Sequence, residues 1–426
     1  MRPSKAPIAL ALLLIVGLLA AGGAEAKKRP QVKQRRAQVH KVAKKKGNRA
    51  RGKAKATRQV PTAALTPAPA AAPPAASAAA PPAAEPAPTP TDAVAASGNW
   101  EAPVVAPPSE PTPTPTPPPS SGSVPLTVGI DGGYSGWWSE EVELRKALDA
   151  PITRHQWEPL EESVSAQDKF MLEATELVHT RIHAVLGGND LGDPTAYKEW
   201  VLAFIERYGT GGSFWREHPS LDEAEYAITT FELGNEPYFQ IPAQRYAEEI
   251  RPTLEAVKAA GLPAKLIVPT YTYGTNTSWT DTLYRAIPNL NSLMWAFAEH
   301  PYWYGHNPAT PDNAASPFER IETLRRDMAT HGAAEKPLFI TEYGESTANC
   351  GSECVDEAEQ AEHIQTMLDA VLTHPEWRVE MLIFFQLHDW ATQSTNMQQQ
   401  FGLLRANGTP KPAYPIVRAA MQQYRG

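Results

Sequence analysis

Beyond residue 123 the chain carries eight short apolar runs, each closed by Gly, Asn, Asp or Pro. They are Leu126–Ile130, Ile152–His155, Thr180–Leu186, Ala227–Leu233, Lys265–Pro269, Met294–Ala298, Pro337–Ile340 and Met381–Phe385. Short continuous runs of this kind predict strands buried on both faces. Between most of them lie segments with apolar residues three and four apart, the mark of a helix with one buried stripe. These are Glu140–Leu148, Ser165–Val178, Pro194–Tyr208, Ala243–Ala260, Pro317–His331 and Glu357–Leu372, with a last helix about Tyr414–Tyr424. Such alternation predicts an α/β fold, a closed parallel (β/α)8 TIM barrel. The competitor is an open doubly wound sheet, which would carry G-x-G-x-x-G after its first strand. Here that turn reads Asp131-Gly132-Gly133.

The first 122 residues show no such pattern. Arg2 and Lys5 precede an apolar stretch from Ile8 to Leu19, followed by small residues ending Ala24-Glu25-Ala26. This predicts a signal peptide over residues 1–26, cleaved after Ala26; the stretch is short for a membrane span. Residues 27–58 hold 15 Lys or Arg and no Asp or Glu. Like charge with little apolar content predicts a disordered basic segment, either a spacer or a tether to an acidic cell-surface polymer. Residues 59–122 are rich in Pro, Ala and Thr and predict an extended linker. The expected catalytic domain is therefore 123–426.

Charge sharpens this division. The whole chain carries −8, but residues 124–426 hold 42 acidic and 22 basic side chains. A domain near −20 does not bind nucleic acid by charge. Two Cys in 426 residues exclude a disulfide-rich scaffold and a multi-Cys zinc site. Cys350 and Cys354 lie four apart after the seventh run, and in a secreted chain the expectation is a disulfide between them. The sequence implies a secreted protein without a membrane segment after cleavage, wall-associated where the basic segment acts as a tether. Nothing in it demands more than a monomer.

In a barrel, chemistry belongs where strands end. The fourth run leads into Phe231-Glu232-Leu233-Gly234-Asn235-Glu236-Pro237. The seventh leads into Phe339-Ile340-Thr341-Glu342-Tyr343-Gly344-Glu345. Strands 4 and 7 of eight stand on roughly opposite sides of the ring, so two carboxylates can converge. Facing carboxylates serve glycoside hydrolysis, one as nucleophile and one as acid and base. Glu232 and Glu345 are neighbouring carboxylates outside the two motif positions.

Asn-Glu-Pro after strand 4 and Thr-Glu-Tyr-Gly after strand 7 resemble the clan A glycoside hydrolases, such as those of families 5 and 39. The resemblance spans about Val124 to Gly426. It implies a retaining (β/α)8 glycosidase with Glu236 as acid/base, Glu342 as nucleophile and Asn235 on the sugar 2-hydroxyl. His300-Pro301-Tyr302 matches the clan's His-x-Tyr at the end of strand 6, with the Tyr302 hydroxyl on the nucleophile and His300 bordering the sugar. Trp390, after strand 8, matches a common sugar platform. Arg154, ending strand 2, matches an Arg that supports the nucleophile. Asn189-Asp190 after strand 3 departs from the His-Asn pair of several clan families. Trp137, Trp138, Trp279 and Trp303 fall in expected mouth loops, where together they would favour an extended glycan. No metal or cofactor is required.

The resulting expectation is a secreted retaining β-glycosidase, endo-acting on a polysaccharide or oligosaccharide. A transglycosylase of envelope polysaccharide and an inactive glycan-binding barrel are the alternatives.

Overall fold

A computed structural model describes residues 125–132, 138–158, 163–273, 276–310 and 315–426, without the side chains of 138–140. The expected signal peptide, basic segment and linker lie outside the described residues, as do Trp137 and the Trp138 side chain.

Eight parallel strands close on themselves in sequence order. They are β1 Thr127–Asp131, β2 Ile152–Trp157, β3 Arg181–Leu186, β4 Thr230–Leu233, β5 Lys265–Pro269, β6 Ala296–Glu299, β7 Leu338–Tyr343 and β8 Val379–Phe384. The main helices are α1 Trp138–Leu148, α2 Val164–Leu172, α3 Pro194–Tyr208, α4 Ala243–Ala260, α5 Ser278–Ala286, α6 Pro317–Thr330, α7 Glu357–Thr373 and α8 Ala413–Gln423. The (β/α)8 expectation holds, and α3 and α4 match their expected ends.

Three local differences have physical causes. The fourth run begins at Thr230 rather than Ala227, because a short helix, Glu223–Tyr226, turns just before it. The Ser165–Val178 helix changes at Glu173 to a wider π-turn and ends at His179 in the left-handed region. The sequence reading passed over α5. Its Ser-Trp-Thr-Asp-Thr start is poor in strong helix formers, and only Trp279, Leu283 and Tyr284 give it an apolar stripe.

Two apolar cores result. The larger lies between strands and helices. The smaller joins Ile152, Ile267, Ala296, Ala298, Phe339, Met381 and Ile383. These side chains come from strands that are not all neighbours, so they meet inside the barrel. Strand alternation then decides what lies above them. Two residues past Ile152 is Arg154, and two past Phe339 is Thr341. The inner faces thus turn from apolar to polar toward the C-terminal ends, with Arg154, His183, Glu232 and Thr341 all buried.

Phe339 is 1% exposed within that inner core. Phe339→Ala should cost about 3–5 kcal/mol by leaving a cavity that the closed barrel cannot collapse. The control is Val164→Ala at a site 55% exposed, expected within about 0.5 kcal/mol of the parent. Denaturant titration of both variants checks this. Equal midpoints would contradict the assignment of the inner core.

Candidate active site

The strand ends bring six of the expected residues into one hydrogen-bonded array. Arg154 is its centre. Its Nη1 donates to Glu342 Oε1 at 2.6 Å and to Asp131 Oδ2 at 2.8 Å. Its Nη2 donates to Asn235 Oδ1 at 2.8 Å, and its Nε lies 3.4 Å from Glu232 Oε2. Asp131 and Arg154 are register partners on β1 and β2, so the pairing of those strands sets this contact. Tyr302 donates its hydroxyl to Glu342 Oε2 at 3.0 Å. His300 Nδ1 is 3.0 Å from Glu236 Oε1 and 3.6 Å from Glu342 Oε2, while its Nε2 is 3.0 Å from Thr341 Oγ1. One donor atom each from Glu236, His300 and Glu342 lies within 4.8 Å of the other two. The two carboxylates therefore face each other across an imidazole.

Backbone chemistry aims Glu236. Gly234 stands at φ +90°, and a Cβ there would meet the Gly188 carbonyl oxygen at 2.9 Å. Only glycine permits this approach of β4 to the Gly187-Gly188 turn. Asn189 uses the proximity: its Nδ2 donates to the carbonyls of Asn235 at 2.9 Å and Glu236 at 3.0 Å. Glu236 itself has φ +46°, a left-handed conformation that a non-glycine residue adopts at a cost of about 1–2 kcal/mol. Tyr238 completes the hold, donating its hydroxyl to Glu236 Oε1 at 3.2 Å. Asn189, outside any His-Asn pair, thus buttresses the loop that carries Glu236.

The charges are unequal. Asp131, Glu232 and Glu342 all contact one guanidinium. Burial works against the Arg154 charge, but Glu232, Glu342 and Asp131 outweigh it and hold that charge more firmly than water does. Burial likewise opposes the Glu232 charge, yet Arg154 and His183, whose Nε2 is 2.9 Å away, bring Glu232 down to about 2. The proton demand therefore falls on Glu342. Burial pushes it up to about 7 against the pull of His300 and Arg154, and the Glu236 charge adds to the rise. Burial lowers His300, but Glu342 and Glu236 overcome it and raise the imidazole pKa. Burial and the Glu342 charge push the Tyr302 phenol up, so it stays a donor.

The remaining expectations fall outside this array. Trp390 is half-buried and lines a small cleft with Asp131, Gly132, Gln386 and His388. Trp279 corrects the mouth-loop reading: it is 9% exposed, stacks on Tyr246 and donates Nε1 to the Pro269 carbonyl, because α5 turns it inward. Trp303 stacks on His306. Glu345 is buried away from Glu342 and pairs with His363 at 3.4 Å. Cys350 and Cys354 are joined by a disulfide with Cα atoms 5.5 Å apart. Their loop packs on Gly305, whose φ of +72° and contact with the Ser352 carbonyl leave no room for a side chain.

Sequence reasoning passed over Asp131, His183, Tyr238 and Arg320. Asp131 and His183 are the register partners of Arg154 on β1 and β3, a relation that strand pairing supplies. Tyr238 and Arg320 carry no comparable signal. Outside the mouth, Asp281, Asp327 and His331 also bring donor atoms within 4.8 Å of one another.

Residues 193–380 match the family model of cellulase, glycosyl hydrolase family 5. No curated protein matches the chain. Among solved structures, a family 39 glycoside hydrolase from the gut symbiont Bacteroides cellulosilyticus WH2 is similar at 15% identity and TM-score 0.53. That similarity covers 71% of this chain and 64% of the other, so this chain spans under two-thirds of that protein. A glucosidase from Croceicoccus marinus is similar at 15% identity and TM-score 0.52, over 70% of this chain and 67% of the other. At such identity these structures speak for the fold. The matched segment, under half of the chain, runs from the N-cap of α3 into β8 and holds both facing glutamates, so over that stretch the chain is similar to glycosyl hydrolase family 5.

Proposed function

We propose that the chain is a secreted, retaining β-glycosidase acting within a polysaccharide. The carrying observation is the approach of Glu236 and Glu342, each with one oxygen beside the same His300 Nδ1, at 3.0 and 3.6 Å. Retaining enzymes hold their carboxyl groups about 5–5.5 Å apart, whereas inverting ones leave about 6.5–9.5 Å for a water. The close spacing supports direct attack by one carboxylate.

In this scheme Glu342, ionised between Arg154 and Tyr302, attacks the anomeric carbon. The glycosidic bond breaks, and Glu236 gives its proton to the departing oxygen. A covalent glycosyl ester on Glu342 results. Glu236, now a base, takes a proton from water, whose oxygen attacks the same carbon. The ester breaks, Glu342 leaves as a carboxylate and Glu236 is protonated again. Asn235 accepts from Arg154 Nη2 at its Oδ1, which leaves its amide nitrogen to donate to a sugar hydroxyl. Trp390 would serve as a stacking platform beside the reacting sugar.

Residues 1–26 support export, and 27–58 support tethering to an acidic surface polymer, with 59–122 as the spacer. The acidic domain favours a neutral glycan and disfavours nucleic acid. Nothing in the reading requires a second copy of the chain.

Two outcomes follow. The secreted chain should cleave one polymer in a panel of β-1,3- and β-1,4-glucan, mannan, xylan, galactan and anionic exopolysaccharide, giving internal fragments by size separation. Glu342→Ala should lose on the order of 10^4-fold or more in kcat; more than a few per cent residual activity would remove Glu342 from the nucleophile's role. The pH profile gives the second. The nucleophile works ionised and burial raises its pKa to about 7, while the acid must keep its proton, so kcat/KM should pass through a maximum at the pH where the pair shares one proton, with Glu342 setting the acidic limb. His300 pulls that pKa down, so His300→Asn should move the acidic limb to higher pH. An unmoved or lowered limb would contradict the charge assignment.

A further inference from the structure

Behind the β6 side of the mouth lies an ion pair that the scheme above does not use. Glu299 ends β6 and is fully buried, and Arg320, in the first turn of α6, is 3% exposed. Arg320 Nη2 donates to Glu299 Oε1, and Thr272 holds the same oxygen at 3.2 Å. Burying two charges costs several kcal/mol per ion unless their hydrogen bonds are well used. Here Glu299 Oε2 and Arg320 Nε meet no partner among the described residues, and the remaining guanidinium donors are spent on Glu299 and the active loop. Arg320 Nη1 donates to the Tyr302 carbonyl at 2.9 Å, and Nη2 to the His300 carbonyl at 3.1 Å.

One guanidinium therefore grips the backbone of two of the residues that touch the carboxylates. Tyr302 carries the donor to Glu342, and His300 stands between Glu342 and Glu236. A second line leads to the same place. The Arg320 guanidinium lies 5.5 Å from the Tyr271 ring centroid. Tyr271 stacks on Tyr238 with centroids 4.8 Å apart and planes 25° apart, and Tyr238 donates to Glu236.

We propose that Arg320, aimed by Glu299, is a positioning residue that fixes the relative placement of Glu236 and Glu342 from behind. This rests on the glycosidase reading above. Its basis is the planar fork: two carbonyls two residues apart and a carboxylate are reached by one rigid group. A lysine keeps the charge but cannot reproduce the fork. A plain staple between β6 and α6 would use the same contacts without setting the chemistry, so the test must read the chemistry.

The test compares wild type, Arg320→Lys and Glu299→Gln in the full chain. Substrates are the polymer that the wild type cleaves and the 4-nitrophenyl and 2,4-dinitrophenyl β-glycosides of its sugar. Arg320→Lys should lower kcat by roughly 10- to 100-fold with KM changed less than about threefold, the signature of lost alignment rather than lost binding. The loss should be larger for 4-nitrophenol, the poorer leaving group, which needs protonation by a well-placed Glu236. The acidic limb of kcat/KM should move upward, as His300 and Tyr302 cease to hold Glu342 ionised. Glu299→Gln should shift in the same directions by less. An unchanged limb and leaving-group dependence, or a kcat loss matching a loss of folded protein by near-ultraviolet circular dichroism, would overturn the proposal. Titration of the His300 imidazole by 15N NMR reads the same placement without turnover: a shifted titration in Arg320→Lys supports it and an unshifted one overturns it. If the wild type cleaves no glycoside, the functional reading fails, and the NMR result still decides the role of Arg320.

Discussion

The structure depends on one buried cation. Arg154 sits at the end of β2 with almost no exposure and contacts Asp131, Glu232, Asn235 and Glu342, which come from β1, β4, the loop after β4, and β7. A lone guanidinium in that position would be costly, and so would three uncompensated carboxylates. Each makes the other tolerable, and the excess of negative charge decides which group competes for a proton. Glu232 is held ionised from two sides by Arg154 and His183. Glu342, which also faces Glu236, is left near the working range. The raised pKa at one residue is thus a property of the whole array.

The barrel makes such an array affordable because its two ends do different work. Near the N-terminal ends of the strands, an aliphatic and aromatic plug fills the interior. Toward the C-terminal ends the same inner faces carry Arg154, His183, Glu232 and Thr341, cross-linked by hydrogen bonds. Closure of the sheet satisfies the strand backbones, so side-chain donors and acceptors remain available for one another. Glycines at the rim let loops approach closely enough for Asn189 to hold the Glu236 backbone.

Much of this was legible in the chain. The eight apolar runs mark the eight strands because strands buried on both faces leave a continuous signal. The two motif glutamates stand out because each directly follows such a run. Arg154, His300 and Tyr302 were reached by resemblance, and they meet in space. Other features left no trace. Glu232 stood out only as a carboxylate beside the motif, and its bond to His183 depends on the register of β3 against β4. Arg320 lies in a helix, where an Arg in the first turn ordinarily faces solvent, and its role depends on how α6 is set against β6. Trp279 looked like a loop residue because α5 lacks strong helix formers, and the helix then carried it inward.

The account turns on whether Glu342 attacks carbon directly. The most direct measurement is the anomeric configuration of the first product, followed by 1H NMR within the opening seconds to minutes of cleavage, before mutarotation mixes the anomers. The arrangement of Glu236 and Glu342 predicts that the β-linked substrate releases the β-anomer first. First release of the α-anomer would mean that water displaces the leaving group in one step, and the assignment of Glu342 as a covalent nucleophile would fall.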